Sequence, residues 1–429
     1  MLKSKIRSML NEISRSTFAR NIWTLLSSSI LRIIFQAMYF VILARAFGPE
    51  QYGAYIGTIA IISLFIPFAS LGSNWVLIQN VSRNQSLFAD YFGTSILKNL
   101  VFGSIFISII LLILNLSPIP NISVYSAFFL CLANLIFMTL GDLCRDAFIS
   151  IGLLKYTARM ILLLSFNRFL ASLVLITLFE TPTLLIWSML YCGATLFTAI
   201  IGFTLVFKLI GSPKFKFFRI TQELTGGLAF SIGGSAENIY NDLDKSMLVK
   251  LANPQATGIY GAAFQIFSVS LAPLQAMMLA AYRKFFQSGE SGIRGSLEWC
   301  KRLLPVSLGY SMLGIAGIFI LAPLLPKIIG EEYNDSALAL MWFSPLILVR
   351  AIHSLAADVL TGSDHQKSRS ASQVLVALIN GLLNLWLIPL YQWRGAIMAT
   401  LISEVLLMIF LWGFVYVFYK KSYENPPLL

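Results

Sequence analysis

The sequence predicts an all-α integral membrane protein with twelve transmembrane helices. Three observations carry that expectation. Of 429 residues, 57% are hydrophobic and only 12% charged, against about 25% charged in a soluble globular chain. Apolar windows of spanning length recur from end to end, far beyond the single short run of a secretory signal. The segments between them are too short to bury a soluble core of their own.

A spanning helix needs about 20 predominantly apolar residues. Windows that qualify lie at 22–44, 53–72, 97–116, 122–143, 158–179, 184–207, 225–243, 257–282, 303–322, 336–357, 371–390 and 395–418. Basic residues orient them, because cytoplasmic loops collect Lys and Arg. With the N-terminus inside, Lys3, Lys5, Arg7, Arg15 and Arg20 share a side with Lys155 and Arg159, Arg283 and Lys284, Lys301 and Arg302, and Lys420 and Lys421. Both termini are then cytoplasmic. The same distribution explains the net charge of +12: it is spread over loops that meet anionic lipid, so no nucleic-acid partner is expected.

Six windows precede the basic connection KLIGSPKFKFFRITQE and six follow it. The chain therefore divides into a bundle at 1–207, a cytoplasmic linker at 208–223 and a second bundle at 224–429. A weak internal match supports duplication. Tyr52-Gly53 and Tyr260-Gly261 stand at the start of the second helix of each half, as in transporters built from parallel repeats.

Charges inside spans are costly and usually face a cavity or a partner. The densest group is in GGLAFSIGGSAENIYNDLDKSML, residues 226–248. Glu237, Asn241 and Asp244 share one helical face at i, i+4 and i+7, and Asn238, Asp242 and Lys245 form the adjoining strip. Either this strip lines a cavity, with acidic coupling or gating roles, or its end has already left the membrane. Arg32, with Gln36 one turn later, sits mid-window in the first helix. Its guanidinium either contacts an anionic ligand or pairs with an acid such as Glu237. Arg168 and Glu404 are the other deep charges. Arg350 and His353 lie three residues apart, Arg350 as a cavity residue and His353 snorkelling toward the cytoplasmic end. Pro67 and Pro273, comparably placed in the second and eighth helices, mark bending points.

The sequence has no GxxxxGK[ST] phosphate loop, no HExxH helix and no CxxC pair. Cys131, Cys144, Cys192 and Cys300 fall in or beside apolar windows, where a free Cys is a small hydrophobe. No metal and no cofactor is expected, and no catalytic pair is organised.

Three segments carry a resemblance: LARAFGPEQYGAY at 43–55, FASLGSNWVLI at 68–78 and IYNDLDKSMLVKLANPQATGIYGAAFQI at 239–266. In order and spacing the chain resembles polysaccharide flippases of the multidrug/oligosaccharidyl-lipid/polysaccharide (MOP) exporter superfamily. The resemblance implies two six-helix bundles around a central cavity. It implies translocation of an undecaprenyl-pyrophosphate-linked oligosaccharide from the cytoplasmic to the periplasmic leaflet of a bacterial inner membrane. Arg32, Gln36, Arg168 and Arg350 become candidate pyrophosphate or glycan contacts, though only Arg32 and the Asp244-Lys245 pair match the family pattern. The implied partners are the lipid-linked oligosaccharide, membrane lipids, a polysaccharide polymerase and chain-length proteins, with a monomer as the working unit. Two alternatives stay open: an ion-coupled multidrug or metabolite exporter, and a membrane scaffold or enzyme of polysaccharide assembly.

Overall fold

The computed structural model describes residues 17–215, 231 and 242–424. Every regular element among the described residues is helical. That is the expected solution in hydrocarbon, where a helix satisfies its own backbone and an open strand edge cannot. Ten helical runs among them are long and apolar enough to cross a membrane, and the chain is a multi-pass integral membrane protein.

Two features separate these ten runs from the twelve windows. Windows 22–44 and 53–72 meet in one run, α1 (Thr17–Ser63), which is two helices joined at Gly48. Gly48 has φ 63° and ψ 176°, a conformation open to glycine, and Pro49 begins the next helix where a missing N–H costs nothing. Window 225–243 lies almost wholly outside the described residues, as do Glu237 and Asn241.

Most of the remaining helices enclose or closely match their windows; the short helix at 242–251 overlaps only the last residues of window 225–243, and window 336–357 is divided between the helices Asn334–Phe343 and Pro345–Gly362. In chain order the main helices after α1 are α2 (Phe88–Leu116), α3 (Val124–Ser150), α4 (Leu154–Leu178), α5 (Leu184–Leu209), α6 (242–251), α7 (Pro254–Gly289), α8 (Ile293–Leu321), α9 (Pro345–Gly362), α10 (Gln366–Tyr391) and α11 (Trp393–Glu424). Polar caps start several of them. Asn253 Oδ1 accepts the Ala256 N–H at 2.7 Å, with Pro254 at the first helical position, and Thr183 Oγ1 accepts the Ile186 N–H at 3.3 Å.

By contacts the chain forms two compact units. One comprises described residues of Met1–Phe47 and Thr58–Leu243, the other those of Gly48–Gly57 and Asp244–Leu429. In the first, α3 is the central helix: 61% of its apolar window is buried by protein. In the second, that place belongs to the run Glu331–Gly362, which ends in α9 and is 50% buried, while no other span exceeds 39%. Outer helices instead turn leucines outward, among them Leu112, Leu313 and Leu382. In water such faces would be a liability; against lipid tails they are the proper surface. The two central helices therefore hold the positions where a polar side chain can be shielded from lipid.

Candidate functional site

In the second unit α7 presents Tyr260, Phe264 and Phe267 at spacings of four and three, one helical face. Phe343, just before α9, completes an aromatic column. Its ring stacks on Phe267 with centroids 5.2 Å apart and meets Tyr260 edge-on at 5.1 Å. Cations lie over two of these rings. Lys245 Nζ is 4.9 Å from the Phe264 centroid, and Arg350 Cζ is 5.5 Å from that of Phe267. A ring face attracts a cation more strongly where water is scarce.

Asp244 is buried beside this column. Its carboxylate accepts hydrogen bonds from Tyr260 Oη at 2.7 Å, Thr400 Oγ1 at 2.7 Å and Asn384 Nδ2 at 2.6 Å. The donors come from α7, α11 and α10, so one carboxylate ties three helices to α6. Consecutive helical residues point about 100° apart. That rotation sends Asp244 into this cradle and Lys245 onto the Phe264 ring.

One turn beyond Thr400 on α11 stands Glu404, with a side chain only 2% exposed. Oε1 lies 2.8 Å from Arg350 Nε, and Oε2 lies 2.7 Å from His353 Nε2. A buried carboxylate needs such neighbours, because desolvation of a lone charge costs several kcal/mol, order-of-magnitude. His353 was expected to snorkel toward the membrane surface. It turns inward instead, since its spacing of three from Arg350 puts both on the face that meets α11.

The first unit carries its own cation at depth. Arg168 of α4 lies over the Tyr191 ring of α5, Cζ to centroid 4.3 Å, with Nη2 3.6 Å from Met138 Sδ. Tyr191 Oη donates to Asn134 Oδ1 at 3.0 Å. Asn134 belongs to a π-helical stretch of α3, Leu132–Met138, and such single turns recur at functional sites. Arg32 is exposed and Gln36 half-buried on α1. Between them Phe35 packs on Phe166 and Phe169 of α4, at 5.2 and 5.6 Å, either side of Arg168.

Of the other sequence candidates, Asp242 Oδ2 accepts from Ser63 Oγ at 2.6 Å. Pro67 stands in the first turn of a short helix, Ile66–Ser70, after the chain leaves α1, and its carbonyl accepts from Ser231 Oγ at 2.8 Å. Pro273 lies inside α7. The structure thus joins Arg350 to Glu404, and Asp244 to Tyr260, which the sequence marked only as part of the internal match, and to Asn384 and Thr400, which it did not single out. Their signal was present as periodicity. Asn380 and Asn384 recur at i, i+4 in an apolar helix, as do Thr400 and Glu404, but a census of charges passes over neutral polar residues. Among the described residues no group of three His, Cys, Asp or Glu is placed to hold a metal ion, and all four cysteines are buried thiols.

Comparison with known proteins places this architecture. At 11% sequence identity and a TM-score of 0.74, the fold matches an inward-facing multidrug resistance MATE family transporter of the MOP superfamily, covering 92% of this chain and 99% of that one. It matches the lipid II flippase MurJ in an inward closed conformation at 12% identity and a TM-score of 0.72, covering 92% and 87%. A MOP superfamily transporter from Pyrococcus furiosus, whose binding pocket has reversed polarity, matches at 11% identity and 0.61, covering 95% and 98%. No curated protein matches the chain in sequence. The fold is that of the MOP superfamily. Residues 18–282, more than half of the chain, fit the model of a family described as polysaccharide biosynthesis protein, and the chain belongs to that family.

Proposed function

We propose that this protein is a transporter rather than an enzyme, and that it carries an undecaprenyl-pyrophosphate-linked oligosaccharide from the cytoplasmic to the periplasmic leaflet of a bacterial inner membrane. The observation that carries the reading is the family match over residues 18–282. The site chemistry supports it. A pyrophosphate and its sugars are rejected by hydrocarbon, so their passage needs cations at membrane depth. Arg168 and Arg350 are such cations, each held over an aromatic ring, and a guanidinium suits phosphate oxygens bidentately. Arg32 and Gln36 would add contacts to the head group while the prenyl tail stays in lipid. The reading includes twelve spans in two six-helix bundles, 1–207 and 224–429, with both termini cytoplasmic. No bond is made or broken.

A second reading is favoured by the fold comparisons: ion-coupled export of a drug-like molecule or metabolite, since a multidrug resistance transporter is among the structural neighbours, at a TM-score of 0.74. In it Asp244, with Tyr260, Thr400 and Asn384 around its carboxylate, becomes the coupling group, with Glu404 and Asp242 as further acids.

One experiment separates the two. The protein is reconstituted in liposomes with a fluorescently tagged undecaprenyl-pyrophosphate oligosaccharide, and protection of the label from an impermeant quencher is followed with and without an ion gradient. Crossing that is lost in Arg32→Ala or Arg350→Gln supports the oligosaccharide reading. Absence of crossing, together with gradient-driven movement of a cationic dye, overturns it in favour of the exporter.

A further inference from the structure

We propose that the cavity at the C-terminal ends of α7 and α9 is a sugar subsite, one that takes a ring of the glycan carrying no negative charge. The inference rests on the oligosaccharide reading above and on its topology, which puts these helix ends on the cytoplasmic side, where the glycan begins its passage.

The cavity has a volume of about 630 Å³, within the range of small-ligand sites, about 300–1,000 Å³. Its base is rigid. A Cβ on Gly289 would fall on the carbonyl oxygen of Gly362, and one on Gly362 on that of Phe285, so α7 and α9 meet backbone to backbone. Its wall is one face of α7. Leu279, Tyr282 and Phe286 follow at spacings of three and four and are 78%, 37% and 44% exposed. The two rings stand edge to face with centroids 5.0 Å apart. Helix α7 runs on to Gly289, past the apolar window that ends at 282, so Phe286 and Gln287 stand beyond the stretch made for lipid.

The rim is acidic where the fold favours the opposite sign. Glu290 caps the C-terminus of α7, and Asp364 follows the C-cap of α9. The last carbonyls of a helix carry partial negative charge, so a carboxylate there is repelled rather than held. Asp364 also sits at φ 64°, with its own N–H on the Thr361 carbonyl and the His365 N–H on the Leu360 carbonyl. Glycine is the usual choice at such a helix end. Neither carboxylate has an ion-pair partner among the described residues. Two bases flanking Glu290 in sequence are engaged elsewhere: Lys284 Nζ lies 5.5 Å from the Trp299 ring, and Arg294 donates to the Ser422 hydroxyl and carbonyl.

Those parts select a ligand. Two carboxylates, the Gln287 amide oxygen and the last carbonyls of two helices all accept hydrogen bonds, so the occupant must be rich in donors. The exposed rings need an apolar face to lie against them. A pyranose supplies both, with hydroxyls round its edge and C–H bonds on its face. Those C–H bonds carry the slight positive charge that an aromatic face attracts. An anionic lipid head group, which basic cytoplasmic loops draw in, is repelled by Glu290 and Asp364. A uronic acid is repelled for the same reason, and a neutral or amino sugar is not. Specificity of this kind comes from the repulsion built against the wrong ligand.

The test compares three farnesyl pyrophosphate diesters on the full chain in detergent. One carries methyl, one carries cellobiose, and one carries the same disaccharide with glucuronic acid as its outer ring. Wild type is expected to bind the cellobiosyl probe about tenfold more tightly than either of the others, the worth of one charge-assisted hydrogen bond. Phe286→Ala should lose that gain and bind the methyl diester as wild type does. Glu290→Gln with Asp364→Asn should weaken the cellobiosyl probe and tighten the glucuronyl one, a reversal that damage to the fold does not produce. Cellobiose that adds nothing over methyl, a preference of wild type for the glucuronyl probe, or equal losses for all three probes in the variants would overturn the subsite and leave the oligosaccharide reading standing. Failure of wild type to bind any of the three would overturn both. Binding of tetraphenylphosphonium, lost in the carboxylate double variant, would then give the cavity to a lipophilic cation.

Discussion

Gly53 and Gly258 face each other's helix starts: a Cβ on Gly53 would fall on the carbonyl oxygen of Pro254, and one on Gly258 on the carbonyl oxygen of Pro49. Each glycine stands four residues after its proline, and each is followed two residues later by a buried tyrosine, Tyr55 or Tyr260. Such reciprocity is what a local two-fold produces. The matching positions fit a register of Gly53 over Gly258, where the sequence alone suggested Tyr52-Gly53 over Tyr260-Gly261.

Backbone lies where the missing methyl would go, so no side-chain rotation relieves a larger residue there. Gly53→Ala and Gly258→Ala should each destabilise the protein by about 1–3 kcal/mol, the usual cost of overpacking. Gly193→Ala is the control: its Cβ would meet nothing within 4 Å, and alanine in a helix interior gains roughly 0.5–1 kcal/mol over glycine. Thermal unfolding in detergent, followed by tryptophan fluorescence, measures all three. A melting temperature as high in Gly258→Ala as in Gly193→Ala would rule out the close approach.

Most of the helices were legible because hydropathy alone determines where a chain can enter lipid, and α2, α5, α10 and α11 follow their windows closely. The site was legible only in part. Arg350 and Glu404 are visible as charges in apolar helices, but the pair is 54 residues apart in sequence, and no local pattern says which deep acid meets which deep base. Asn384 and Thr400 are harder still. Their role exists only because Asp244, more than a hundred residues earlier, is brought between them, and neutral polar residues in a span have many other uses, including bonds to their own helix. The direction of His353 depended on Glu404 being on the facing helix, which periodicity within α9 cannot reveal.

The Asp244 cradle makes a prediction about donor and acceptor identity. In Asp244→Asn the new amide nitrogen would confront the Asn384 Nδ2 donor or the hydroxyl donors, and a charge-assisted set of bonds would be lost. A loss of about 1.5–3 kcal/mol is expected. The exchange Asp244→Asn with Asn384→Asp restores one carboxylate and one amide at the same contact and should recover most of that stability. If the double variant melts no higher than the single, the hydrogen bond between these two residues is not what holds α6 to α10.

Removing one partner of the Arg350–Glu404 pair takes away the counter-charge that lies 2.8 Å from a buried group. Arg350→Gln or Glu404→Gln alone should therefore cost about 3–5 kcal/mol, moderated in Arg350→Gln where His353 can still serve the carboxylate. The double variant Arg350→Gln with Glu404→Gln places two neutral amides side by side and should cost less than the sum of the singles. The expected coupling, of about 0.5–3 kcal/mol, is read from a double-mutant cycle of unfolding free energies. Additive losses would mean that the 2.8 Å contact contributes nothing specific.

Tyr191 has two functions that substitution can separate. Its ring lies beneath Arg168 at 4.3 Å, and its hydroxyl donates to Asn134 in the π-helical turn of α3. Tyr191→Phe keeps the ring and leaves Asn134 Oδ1 without that donor, for an expected loss of about 1 kcal/mol with Arg168 still seated. Tyr191→Leu removes the aromatic face as well, adding about 0.5–2 kcal/mol for the lost cation–π contact and taking away the ring that seats the guanidinium. Melting temperatures rank wild type above Tyr191→Phe above Tyr191→Leu. If Arg168 serves as a head-group contact, transport of the tagged oligosaccharide should survive in Tyr191→Phe and fall in Tyr191→Leu. Equal transport in both variants would show that the placement of Arg168 over the ring does not matter to function.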